Sequence, residues 1–214
     1  RSWSLLHFKK ASNKSLLDNA LASGKTTILL APHLGNWEIF GPYLREQANI
    51  TIMYLPPQDE ALHQLIVNSR ESIGISLAPA NRKGVLQVFK AVKNGEFIGI
   101  LPDQEPDLDS GEFAPFFNQP ALTMTLVHKL LQRADCTVVM GYAKRIDGGF
   151  EAVFREPDPD IYHKDTEISL AGLNRSVEAC VREIPEQYQW EYKRFKNHPS
   201  GQKMPSDTAT YRPL

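Results

Sequence analysis

Short apolar runs, spaced apart by longer stretches with helical periodicity, constrain this chain more than any other feature. The runs fall at 26–31, 50–54, 97–101, 136–143 and 149–154. Between and after them, helical patterns cover about 37–47, 59–72, 83–93, 121–133 and 167–184. Short apolar runs alternating with longer helical patterns argue for an α/β domain built on a largely parallel or mixed sheet. Trp37, Phe40, Gly41 and Leu44 repeat at i, i+3, i+4 and i+7, and Leu122, Leu126 and Leu130 form an i+4 row, so these are read as core faces. Asp147-Gly148-Gly149 suits a tight turn with positive φ, which predicts a hairpin between the last two strands. The expected sheet is therefore mixed, mostly parallel and flanked by helices.

A chain of 214 residues, 42% hydrophobic and 23% charged, has enough apolar surface for one core. The expected division is one domain over 1–199 and a C-terminal tail over 200–214, where apolar periodicity ends at Pro199. Lys and Arg number 24 against 25 Asp and Glu, so the net charge of -1 gives no whole-chain attraction to nucleic acid or anionic lipid. Cys136 and Cys180 lie far apart inside apolar segments, which suits buried thiols and not a disulfide framework or a CxxC metal site. The chain begins at Arg1 and shows neither a signal peptide nor a long apolar span, so it reads as a piece of a longer protein; if the full protein is held in a membrane by its own helix, that helix is expected upstream.

The sharpest local signal is Ala31-Pro32-His33-Leu34-Gly35-Asn36-Trp37-Glu38, where a buried strand gives way to a helix. Ligands of open α/β sheets collect at such strand ends. Gly35 allows a tight turn beside His33, and Asn36 caps the helix. Glu38, in the first helical turn, is placed to bond one imidazole nitrogen and raise the basicity of the other, making His33 a general base toward a hydroxyl. The same spacing also suits a purely structural pair, with His33 at the helix entrance and Glu38 favouring the positive end of its dipole.

The run His33-Leu34-Gly35-Asn36-Trp37-Glu38 resembles the signature of the late lipid A acyltransferases, the lauroyl and myristoyl transferases related to glycerolipid acyltransferases. The resemblance continues through Arg70 with Gly74, Gly95, Pro102-Asp103-Gln104, the stretch 113–123, Pro185 to Trp190, and Arg194-Phe195-Lys196. It implies a fold of the glycerolipid-acyltransferase type and a catalytic set of His33, Glu38, Arg70 and Asp103. Arg70 would stabilise developing negative charge, for which a guanidinium has five fixed donors, and Asp103 would support the centre. It also implies an acyl carrier protein thioester as donor, a lipid A precursor as acceptor and the cytoplasmic face of the bacterial inner membrane as location. No cofactor is implied.

Substrate contacts are expected from Gly35, Asn36, Arg82, Gln104, Phe116, Phe117 and Thr123. Arg82, with Lys83 at a helix start, suits phosphate as well as a plain exposed pair. Phe116 and Phe117 would line an acyl channel or simply pack the loop 102–117. Backbone amides from Gly35 to Trp37 are expected to hold the oxyanion. Asp103, Glu105, Asp107 and Asp109 imitate a calcium loop, but Leu108 replaces its glycine and Ala114 its bidentate glutamate, so no metal is expected. His7, His63, His128, His163 and His198 have no paired neighbour and are expected on the surface. The segment 189–196 interleaves aromatics with bases and suits a membrane surface, or the charged rim of a packed terminal helix. Absence of GxSxG argues against a serine hydrolase. The alternatives left open are another lipid acceptor, such as a lysophospholipid or aminolipid, a thioesterase, and a lipid-binding module without catalysis.

Overall fold

The computed structural model describes residues 6–201. In chain order the elements are β1 (Phe8–Ser12), α1 (Lys14–Ala22), β2 (Thr26–Leu30), α2 (Trp37–Arg45), β3 (Ile50–Tyr54), α3 (Glu60–Ser72), β4 (Ser76–Pro79), α4 (Arg82–Lys93) and β5 (Phe97–Ile100). Then follow β6 (Gly111–Phe116), β7 (Gln119–Met124), α5 (Leu126–Leu131), β8 (Cys136–Ile146), β9 (Gly149–Arg155) and α6 (Thr166–Glu183). The main sheet has seven strands in the order β1-β9-β8-β2-β5-β3-β4. All neighbours pair in parallel except the β8/β9 hairpin, so the sheet is mixed and mostly parallel.

The sheet separates two cores, and the central strand β2 feeds both. Ile28 and Leu30 point into a core shared with Val88 and Val92 of α4, Leu130 of α5 and Leu170 of α6, whereas Leu29 packs with Leu17 of α1 and Phe40 and Leu44 of α2. Every β2 residue is buried, which is why its sequence Thr-Thr-Ile-Leu-Leu does not alternate. Helix ends are closed by side chains: Asn36, Asp59, Asn81 and Asp165 each accept an amide of the first turn.

The expected helix over 121–133 exists only as α5, and 121–124 belongs to β7 instead. Pro115 and Pro120 face each other across a β6/β7 hairpin, whose turn residues Phe117 and Asn118 take φ of 47° and 61°. Residues 121–124 pair in antiparallel register with 111–114, and so the Leu122–Leu126–Leu130 row is split between strand and helix. That hairpin also occupies much of the expected loop 102–117. The short edge strands β1 and β4 carry little apolar patterning and were not foreseen. Of the tail 200–214, residues 202–214 lie outside the described residues.

Candidate active site

The site is built by strand register. β2 and β5 run in parallel with Leu30 opposite Ile100, so three residues further on His33 stands opposite Asp103. The Asp103 carboxylate grips the His33 residue twice. One oxygen accepts the His33 backbone N–H at 2.9 Å, and the other lies 2.9 Å from the ring Nδ1. Asp103 is 3% exposed, and the His33 ring retains a modest opening to solvent. A carboxylate at Nδ1 fixes the proton on that nitrogen and leaves Nε2 as the basic, unprotonated atom. Trp37 meets the imidazole edge-on, with ring centroids 5.1 Å apart.

The carboxylate on the imidazole is therefore Asp103, where spacing within 33–38 pointed to Glu38. Glu38 instead takes the Nη2 of Arg70, which lies 3.0 Å from both of its oxygens. This pair ties the first turn of α2 to the last turn of α3, and the Glu38 side chain is 64% exposed. Position along the chain cannot show this, because Asp103 and Arg70 reach the His33 loop from different strand and helix ends.

Gly35 makes the turn after His33 with a φ of 67°, and a Cβ there would collide with the carbonyl oxygen of Ala143. The amides of Gly35 and Asn36 already donate to Gln187 and Ala143 at 3.0 and 2.8 Å. They are not free for an oxyanion, contrary to the expectation for this stretch. The remaining donors at this end are the first-turn amides of Trp37 and Glu38, which precede any intrahelical acceptor. Asn36 uses its side chain as the helix cap, accepting from the Ile39 amide.

A strap formed by residues 187–197 holds the loops that carry His33 and Asp103 against each other. Gln187 and Gln189 bond the backbone of Gly35 and His33, the latter through Gln189 N–H to the His33 carbonyl at 3.1 Å. On the other loop, Gln104 donates to the Gln189 side chain at 3.2 Å, the Tyr192 hydroxyl accepts the Glu105 amide at 2.8 Å, and Asn197 donates to the Glu105 carboxylate. Tyr188 is buried beside Asp103. Burial first, and then the Asp103 carboxylate, push its phenol far above the ordinary range. Arg194 is 4% exposed and donates to Leu122 O and Thr123 Oγ1, and burial pulls its guanidinium below the usual value. The segment expected to meet a membrane surface thus turns Arg194 inward, while Trp190 stays exposed. Its part in holding the site carries no periodic signal in the sequence.

The other expected contacts scatter. Thr123 is fully buried, where its hydroxyl accepts from Asn174 and Arg194. Phe116 is 1% exposed and packed among Phe117, Tyr188 and Phe195, so aromatic packing fills the position expected in an acyl-channel wall. Phe117 is partly buried under the Arg182 guanidinium. Arg82 is exposed at the start of α4. His128 is buried against Thr166, and the His63 ring lies 2.9 Å from the Tyr54 hydroxyl, so neither is the lone surface histidine expected. Cys136 and Cys180 are free and buried. Among the described residues no helix is long and apolar enough to cross a membrane.

Comparison with known proteins gives a consistent picture. The family model described as bacterial lipid A biosynthesis acyltransferase matches residues 7–197. The chain is 32% identical over 124 residues to the lipid A biosynthesis lauroyltransferase of Escherichia coli K12, covering 56% of this chain and 40% of that protein. It is 25% identical over 190 residues to the lipid A biosynthesis palmitoleoyltransferase of the same organism, covering 87% and 61% respectively. A phosphatidylinositol mannoside acyltransferase of Mycobacterium tuberculosis is 27% identical over 108 residues, covering 49% of this chain and 34% of that protein. The chain thus spans less than two thirds of the length of each of these relatives.

Proposed function

The chain belongs to the bacterial lipid A biosynthesis acyltransferase family, and from that premise we propose that it carries out O-acyl transfer from an acyl carrier protein thioester to a hydroxyl of a lipid A precursor. His33 is the general base. Its Nε2 takes the hydroxyl proton as that oxygen bonds to the thioester carbonyl carbon. The carbon–sulfur bond then breaks, and the proton passes from His33 to the departing thiolate. Asp103 orients the ring and stabilises the imidazolium, and a base so positioned contributes about 10²- to 10⁴-fold. Arg70, held by Glu38, balances negative charge on the reacting group or on the acceptor's anionic substituents. The reaction is placed at the cytoplasmic face of the inner membrane, where such an acceptor is available.

The observation that carries this reading is the His33–Asp103 contact, which leaves one basic nitrogen at the strand-end edge of the sheet. The test incubates the protein in detergent with acyl carrier thioesters of several chain lengths and a tetra-acylated Kdo-lipid A precursor. A product heavier by one acyl group, absent with His33→Ala, is expected. Free fatty acid without acceptor would mark a thioesterase instead. The mycobacterial relative, named for a different glycolipid, favours one second reading: the same chemistry on another membrane-lipid acceptor. Product masses with that acceptor separate the two.

A further inference from the structure

The chain as a whole is nearly neutral, yet one flank is not. No Asp or Glu occurs between Glu71 and Glu96, or between Glu112 and Asp135. These two acid-free stretches contribute α4 and α5, which pack on the same side of the sheet. Arg82, Lys83, Lys90 and Lys93 are all exposed on α4, with Leu86 among them at 62% exposure. Lys129 and Arg133 are exposed on and just after α5, and Arg133 lies over the Phe89 ring of α4 at 4.6 Å, which joins the two groups. Elsewhere ion pairs are common, but none of these cations has a carboxylate within salt-bridge range among the described residues.

A solvated helix face does not account for that arrangement. Lys90 and Lys93 suit the negative end of the α4 dipole, but Arg82 and Lys83 sit at its positive end, where a cation is unfavourable by about 0.3–1 kcal/mol. Residues 82, 86, 90 and 93 fall on one face, and like charges at such spacings repel without compensation. An uncompensated stripe of this kind is relieved by an acidic partner. The stripe begins at the α4 N-terminus, which follows β4 at the same C-terminal end of the parallel strands as His33, three strands away from β2. It then runs about 18 Å along a 12-residue helix. Its length and its single exposed leucine fit a rod-like acidic protein surface better than a bilayer. Exposed leucines suited to lipid lie elsewhere, Leu62 and Leu65 on α3, which the Glu38–Arg70 pair ties to the opposite face.

The geometry points to the α4/α5 flank as the docking surface for an acidic protein partner. Resting on the function proposed above, that partner is the acyl carrier protein that delivers the thioester. Binding of fluorescently labelled acyl carrier protein to the purified protein is measured by anisotropy, so the readout does not depend on turnover. Lys90→Glu combined with Lys93→Glu should weaken binding at least tenfold, as should Lys129→Glu combined with Lys93→Glu should the first pair perturb folding by circular dichroism. Lys9→Glu combined with Lys164→Glu, an equal change of charge elsewhere, should leave binding within twofold. Rising salt should weaken the wild type much more than the α4 variant. Unchanged binding in the folded α4 and α5 variants, or no binding by the wild type, would overturn the proposal. So would a loss confined to sedimentation with phosphatidylglycerol vesicles. Normal carrier binding without any acyl transfer would sink the proposed reaction and leave the docking surface standing.

Discussion

Two carboxylate pairs meet at the His33 loop, and they differ in almost every physical respect. Asp103 is buried, holds both the backbone and the ring of His33, and is itself enclosed by Tyr188 and the strap. Glu38 reaches Arg70 across an open surface with most of its side chain in water. An exposed pair contributes only about 0–1 kcal/mol because solvent screens it. A buried carboxylate with several fixed partners cannot rotate away without leaving unsatisfied groups. In the proposed mechanism the contrast assigns orientation of the His33 ring to Asp103 and leaves Glu38 to position the Arg70 guanidinium.

The largest expected effect is that of His33→Ala, which removes the base and should lower kcat by about 10²- to 10⁴-fold. Steady-state transfer kinetics check it, and a rate within tenfold of wild type would remove His33 from the mechanism. Next comes Asp103→Asn, expected to cost about 10²-fold or more in kcat because an amide no longer stabilises the imidazolium or fixes its tautomer. Glu38→Gln and Arg70→Lys should be milder, about tenfold, and should act partly through KM for the acceptor, since the guanidinium loses its charged anchor in the first and is replaced by a single ammonium in the second. A Glu38→Gln loss exceeding that of Asp103→Asn would invert the comparison.

A third pair sharpens it from the stability side. Asp158 accepts from Arg175, and that bond holds its carboxyl below the usual carboxylate range despite partial burial. A depressed folded value contributes stability above the unfolded value and loses it as pH falls through the folded one. Asp158→Asn should therefore lower Tm at pH 7 by about 2–4 °C, corresponding to about 1 kcal/mol. The difference should shrink below about pH 4, as Asp158 is protonated first in the unfolded chain and, at lower pH, in the fold. Thermal melts at both pH values measure this, and a gap that persists at pH 2 would mean that the charge is not the cause.

The sheet was legible because burial on both faces writes itself as short apolar runs, and β2, β3, β5, β8 and β9 fall where those runs are. The β6/β7 hairpin was hidden by leucines at helical spacing, and Pro115 and Pro120 gave no strand signal against them. In the site, His33 stood out from its strand–turn–helix setting. Its contact with Asp103 depends on β2 and β5 being neighbours in register, which no local pattern reveals. The strap was legible as a sequence resemblance but not as a clamp, since its hydrogen bonds run mainly through backbone groups and amide side chains. Phe116 illustrates the same limit, because a channel wall and an aromatic core use the same residue.

The tautomer of His33 tests the central claim most directly. With the ring nitrogens labelled with ¹⁵N, spectra recorded at a pH where the imidazole is neutral should show a protonated Nδ1 and a bare Nε2 in the wild type and in Glu38→Gln. Asp103→Asn should lose that preference. A wild-type ring protonated at Nε2, or a tautomer that changes with Glu38 and not with Asp103, would contradict the account.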